Sequence, residues 1–145
     1  MKMAHGFTLI EVLLSVTIIT MLGTISLPVY ASFQDRNNLQ LTTESIANML
    51  RRAQTYTRSV SGDSQWGVEI QSTSATLFKG AVFATRNTAF DETTAIPTTI
   101  AVSGLTEVLF AKFSAAPSAT GTITLTSNAN NTRAVGINAK GMVDY

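Results

Sequence analysis

Cysteine is absent from the 145 residues, so the chain has no disulfide, no thiolate nucleophile and no cysteine-ligated metal. Histidine occurs once, at His5, which excludes a metal centre built from several imidazoles. No glycine pattern resembles a phosphate-binding loop. Asp63, Glu69, Asp91, Glu92 and Glu107 are scattered, as solubilising carboxylates are, and although Asp91 and Glu92 adjoin, nothing spaces further oxygens as a calcium loop needs. An excess of one charge is missing too. Ten Lys plus Arg stand against nine Asp plus Glu, which supports neither a strongly basic nucleic-acid surface nor an acidic tail. The composition therefore points away from catalysis and implies no cofactor or metal. The length accommodates one domain with a modest core.

The charges that are present are unevenly placed. Between Met3 and Gln34 the only side chain formally ionised at neutral pH is Glu11. Residues 12–33 carry no charge and are numerous enough, as a helix, to cross a hydrocarbon layer ~30 Å thick. The Ser and Thr hydroxyls within this run can bond back to helix carbonyls and so do not prevent insertion. Three readings fit: a retained membrane helix; a cleaved signal peptide, with Lys2 as a weak n-region and residues 29–31 as cleavage site; and a core helix of a soluble domain, unusual at this length and apolarity in so small a chain. Glu11 favours the first, because a carboxylate at the mouth of an apolar helix is costly in lipid unless it meets a partner. Gly6, directly before Phe7-Thr8-Leu9-Ile10, puts a small residue at the edge of the polar leader, where a peptidase can reach.

The run MKMAHG followed by FTLIEV resembles the processing site of type IV prepilins and of their relatives in type II secretion and DNA uptake. That resemblance implies cleavage after Gly6 by a prepilin peptidase, methylation of the new amine on Phe7, and Glu11 as the fifth residue of the mature chain. It also implies removal of His5 with the leader. Independently of the family, an amine on Phe7 of one subunit and the carboxylate of Glu11 on its neighbour would attract strongly among packed apolar helices, while either alone would be penalised. Such a pair sets register. Pro28 lacks an amide hydrogen and clashes with the carbonyl four residues back, and Gly23 lowers helix propensity, so together they mark the helix's weakest place.

Beyond Phe33 the pattern becomes one-faced. Leu39, Thr42 or Thr43, Ile46, Met49, Leu50, Ala53, Tyr56 and Val60 recur at steps of three and four, with Asp35, Arg36, Glu44, Arg51, Arg52 and Arg58 opposite. This predicts an amphipathic helix that continues the apolar one, with a break allowed near Pro28 or residues 37–38, and ends at residues 61–63. Arg51 and Arg52, being adjacent, point in different directions and read as a solvated face. From Trp66 the period is two: Trp66, Val68 and Ile70, then residues 75–78, predict a hairpin. Residues 81–84 read as a further strand, 85–99 as a loop, and 108–113, 121–126, 134–137 and 142–143 as strands, with a turn at 138–141. The expected fold is α+β: a long N-terminal helix whose second half lies on a mostly antiparallel sheet of five to seven strands. The spacing of hydrophobic residues and glycines over residues 39–143 resembles the H-type minor pseudopilins and their T-type counterparts in type IV pili.

The resulting division is a leader at 1–6, a transmembrane and assembly helix at 7–33, an amphipathic helix at 34–61 and a β-rich head at 62–145. The resemblance implies a structural subunit of a type IV pilus or type II secretion pseudopilus in the bacterial inner membrane, its head outside the cytoplasm. Its partners would be the prepilin peptidase, the lipid bilayer, other pilin or pseudopilin subunits and the assembly platform. A DNA-binding minor pilin is the alternative, but Arg86, Lys112, Arg133 and Lys140 are spread along the chain. Intact-mass analysis of membrane-extracted protein is expected to show a chain starting at Phe7 with one added methyl group; loss of roughly 30 residues would instead indicate an ordinary signal peptide.

Overall fold

The computed structural model describes residues 6–145, so Lys2 and His5 fall outside the described residues. The chain divides into two compact units, the first ending at Gln34 and the second spanning Asp35–Tyr145. One helix, α1 (Leu9–Arg58), contributes to both, and its helical backbone runs through Gly23, Pro28 and residues 37–38. Within the first unit, Ser15, Thr17 and Thr20 donate to the carbonyls of Glu11, Leu13 and Val16 at 2.7–2.9 Å, which satisfies these hydroxyls inside the helix as the sequence suggests.

In the second unit the helical stripe is buried as its spacing requires. Leu39, Thr42, Thr43, Ile46, Met49, Leu50 and Ala53 are all buried, joined by Ala47 and Thr57. The helix ends where Val60, Gly62 and Asp63 take left-handed φ values of 52°, 65° and 54°, of which only the glycine is free of a Cβ penalty. Thr57 fastens this end to the first strand: its hydroxyl accepts from the Trp66 amide at 3.0 Å, and Trp66 Nε1 donates to the Ser61 carbonyl at 3.0 Å.

Eight strands follow, in two four-stranded sheets rather than the single sheet expected. β1 (Trp66–Ile70), β2 (Ser74–Lys79), β3 (Glu92–Ala95) and β5 (Glu107–Phe110) form one, in the order β3-β2-β1-β5. β4 (Ile100–Gly104), β6 (Gly121–Ser127), β7 (Thr132–Ile137) and β8 (Val143–Asp144) form the other, in the order β4-β6-β7-β8. All pairings are antiparallel. A common core joins Leu39, Ile46 and Leu50 of the helix to Val68, Leu77 and Val108 of one sheet and Ile123, Leu125 and Val135 of the other.

Residues 100–104, given no element in the sequence reading, form β4, and three further segments depart from that reading. Residues 81–84 form no strand; the chain turns into a short 3-10 helix, Phe83–Thr85, and the Phe83 ring packs edge-on against Phe78 at 5.2 Å, so an apolar pair that imitates a strand serves as a plug. The expected loop at 85–99 contains β3, an edge strand exposed at all four residues, which therefore lacks the alternation that betrays a half-buried strand. The strand expected at 108–113 stops at Phe110, because the Ala111 amide bonds to Ala116 O at 2.8 Å and the chain turns, leaving Phe113 at φ 67° and 71% exposed. The turn at 138–141 forms as predicted: the side chain of Asn138 accepts from the amides of Lys140 and Met142, and Gly141 takes φ 76°.

Two carboxylates oppose one another across β1 and β5, where Glu69 is paired with Glu107. One oxygen of Glu107 is buried without a hydrogen-bond partner. Partial burial, and after it the charge of Glu107, push the Glu69 pKa upward, with Arg86 opposing. The folded state thus holds this proton more tightly than the unfolded chain. The resulting stabilisation is complete below the ordinary carboxylate range and is lost as pH rises through the raised value. Glu69→Gln is expected to raise the midpoint of thermal unfolding at pH 7, on the scale of an opposed cross-strand pair, about 0.2–1 kcal/mol, with the gain shrinking toward pH 4; melts at the two pH values check this.

Candidate functional site

Gly6, Phe7 and Thr8 are exposed among the described residues. They belong to no helix or strand, and Phe7 is 82% exposed. A Cβ placed on Gly6 or on Gly23 would meet no atom within 4 Å. Among the described residues, neither position is crowded enough to require a glycine.

α1 begins at Leu9, two residues after Phe7. The Glu11 amide donates to Thr8 O at 3.1 Å and to Thr8 Oγ1 at 3.4 Å, so Thr8 caps the helix. The sequence shows this only to a reader looking for Thr-x-x-Glu ahead of an apolar run, the capping-box spacing; Thr8 was otherwise merely one letter of the processing motif. Glu11 is exposed in the first helical turn, where a negative charge complements the partial positive charge of unpaired backbone amides. Behind it, Ile10, Leu13, Leu14, Ile19, Leu22 and Phe33 are each more than half exposed. α1 contains a stretch long and apolar enough to cross a membrane by length and composition, and none of that stretch is buried.

The head binds its own charges locally. Arg51, read from the sequence as solvated, donates to Val143 O at 3.1 Å and lies 4.9 Å from the centre of the Tyr145 ring, tying β8 to the helix. Arg52 meets Glu92 at 2.5 Å and the Tyr56 hydroxyl at 3.1 Å, and these two bonds raise its pKa. Arg86 pairs with Asp91 at 2.7 Å. Lys112 pairs with Asp63 and holds that carboxyl below its ordinary range. Among the described residues, no three His, Cys, Asp or Glu side chains gather as metal ligands would.

Residues 1–27 match a family model described as the prokaryotic N-terminal methylation motif. No curated protein matches significantly. Among solved structures the fold is similar to that of the minor pseudopilin EpsH from the Type 2 Secretion System of Vibrio cholerae, with 10% sequence identity and a TM-score of 0.56, over 74% of this chain and 94% of that one. At this identity the likeness speaks for the fold, an α+β arrangement of a long N-terminal helix and antiparallel sheets.

Removing the cap isolates its contribution. Thr8→Ala is expected to cost about 1 kcal/mol of local helix stability, read as roughly fivefold faster hydrogen exchange of the first-turn amides, with exchange in the head unchanged.

Proposed function

We propose that this chain, pilin-like in fold and carrying a prepilin-type methylation motif, is a structural subunit, of the minor kind, in a type IV pilus or type II secretion pseudopilus. A prepilin peptidase cleaves after Gly6, and the new amine on Phe7 is methylated. Residues 7–33 anchor the subunit in the inner membrane, with the head outside the cytoplasm, and then carry it into the filament. Residues 34–61 join this segment to the head at 62–145. Gly23 and Pro28 supply the compliance that transfer from lipid to filament asks of the helix.

The observation that carries this reading is an exposed apolar helix with a single carboxylate at its mouth, preceded by an uncovered Gly6. Burying such a helix in lipid, and later among other helices, removes its apolar side chains from water in both settings. The carboxylate is tolerable among packed helices only if it meets a cation there, and the mature amine of an adjacent subunit is the cation that every subunit carries in the same place. The likeness in fold to a minor pseudopilin supports minor status. The alternative as a DNA-binding minor pilin has less support, since Arg52, Arg86 and Lys112 each already pair with a carboxylate.

Glu11→Ala and Glu11→Gln should leave cleavage after Gly6 intact while reducing incorporation into filaments to below about a tenth of normal, the scale of breaking a buried ion pair. Immunoblots of the sheared filament and membrane fractions report both quantities, and normal incorporation of either variant would sink the register role of the carboxylate.

A further inference from the structure

A cleft of about 530 Å³ opens on the head between the end of α1, the starts of β1 and β3 and the end of β2. Its size is in the range of a ligand site. Tyr56, Trp66 and Phe90 form an aromatic wall, with ring centroids at 4.8 Å for Tyr56 and Trp66 and 6.2 Å for Trp66 and Phe90. Lys79 reaches into the cleft with its ammonium 4.4 Å from the centre of the Phe90 ring. The surrounding carboxylates each pair with a cation, Glu92 with Arg52, Asp91 with Arg86 and Asp63 with Lys112, while the second oxygen of Asp91 stays buried without a hydrogen-bond partner. Lys79 makes no salt bridge among the described residues, its charge reaching Asp63 only through space, and the four cations Lys79, Arg52, Arg86 and Lys112 outnumber the three carboxylates by one.

One lip of the cleft is Glu92, where β3 begins, and β3 is the outer strand of its sheet. Its hydrogen-bonding alternates. The Ile96 amide bonds to Thr73 O at 2.8 Å, and the register pairs Thr94 with Ala75 and Glu92 with Leu77, so these residues face β2. The amides and carbonyls of Thr93 and Ala95 point to the open side. The opposite edge of the same sheet is closed, since Leu109 exchanges bonds with Ser118 at 3.0 and 2.7 Å. The open edge is short and carries only one charge, Glu92, which Arg52 neutralises, so it lacks the like-charge guard that keeps strands off an edge.

We propose that this corner of the head binds an extended acidic segment of a partner protein, which pairs its backbone with Thr93 and Ala95, sets a carboxylate against Lys79 and lays an apolar side chain on the aromatic wall. An extended peptide is the ligand class that uses all three features at once, because alternate side chains enter pockets while the main chain is held by the edge. The proposal concerns the head alone and stands apart from assembly through residues 7–33.

The test uses the full chain in detergent micelles and, as probe, a terminally blocked heptapeptide alternating aspartate with valine. Trp66 is the only tryptophan, so its emission reports on the cleft. A saturable shift is expected, weakened at least about tenfold by Lys79→Gln or by exchanging the probe's aspartates for asparagine, the equivalent of one charge-assisted hydrogen bond. Thr93→Pro removes one outward amide without touching the β2 ladder and should abolish the shift, whereas Thr93→Val, which keeps that amide, should preserve it. Lys79→Gln alone decides the matter if Thr93→Pro fails to fold. Absence of a saturable shift, or a shift indifferent to both Lys79 and the probe's charge, overturns the proposal. So does self-association of the chain that these variants abolish while the peptide leaves the emission unchanged, which assigns the corner to a second copy.

Discussion

A row of apolar side chains on residues 9–24 and 29–33, exposed among the described residues, is the constraint to which the rest of the structure answers. Each buried Leu, Ile or Val is worth about 1.5–3 kcal/mol, so the ten that stand exposed here carry more burial energy than the whole stability of an ordinary domain, about 5–15 kcal/mol. Such a segment suits the apolar surroundings proposed for it. The hydroxyls of Ser15, Thr17, Thr20 and Thr24 are satisfied within the helix, its first turn is capped by Thr8, and Glu11 is its one ionised side chain. The segment's only ionised side chain thus lies at one end, where processing and assembly are proposed to act.

The head solves the opposite problem. It has to be self-sufficient in water while sharing its principal helix with the apolar segment. It does so by burying one stripe of residues 35–58 against two sheets and by pinning the end of that helix through Thr57 and Trp66. Exposed arginines contribute by anchoring more than by solubilising. Arg51 holds β8 and Arg52 reaches over to β3, so one edge strand of each sheet is referred to the same helical turn.

What the sequence made legible was whatever has a strong period or a rigid chemical rule. The helical stripe from Leu39 to Ala53 and the alternating Trp66-Val68-Ile70 strand were readable because burial writes itself into spacing. The turn at Asn138–Gly141 was readable because few residues accept its backbone geometry. β3 was not, since an edge strand exposed along its whole length needs no apolar residues and its stability comes from backbone bonds to β2, to which sequence pattern is blind. The division into two sheets was hidden for a similar reason: β4 and β5 adjoin in sequence but pair with β6 and β1, and nothing local tells a strand which distant partner it will take. At the N-terminus the residues proposed for processing, Gly6 and Phe7, were visible as a motif, while the cap role of Thr8 was written in its spacing to Glu11 and established by the hydrogen bonds.

That exchange of strands has a kinetic meaning. β1 closes its sheet with β5, some forty residues later, and the segment between them must first lend β4 to the other sheet. Neither sheet is complete until most of the head has been synthesised, and long-range antiparallel pairing of this kind is slow, on the order of milliseconds to seconds. The apolar helix, by contrast, is made of local bonds and emerges first. If residues 7–33 enter a bilayer as proposed, they do so while the head's strand partners are still being found, and tethering precedes maturation.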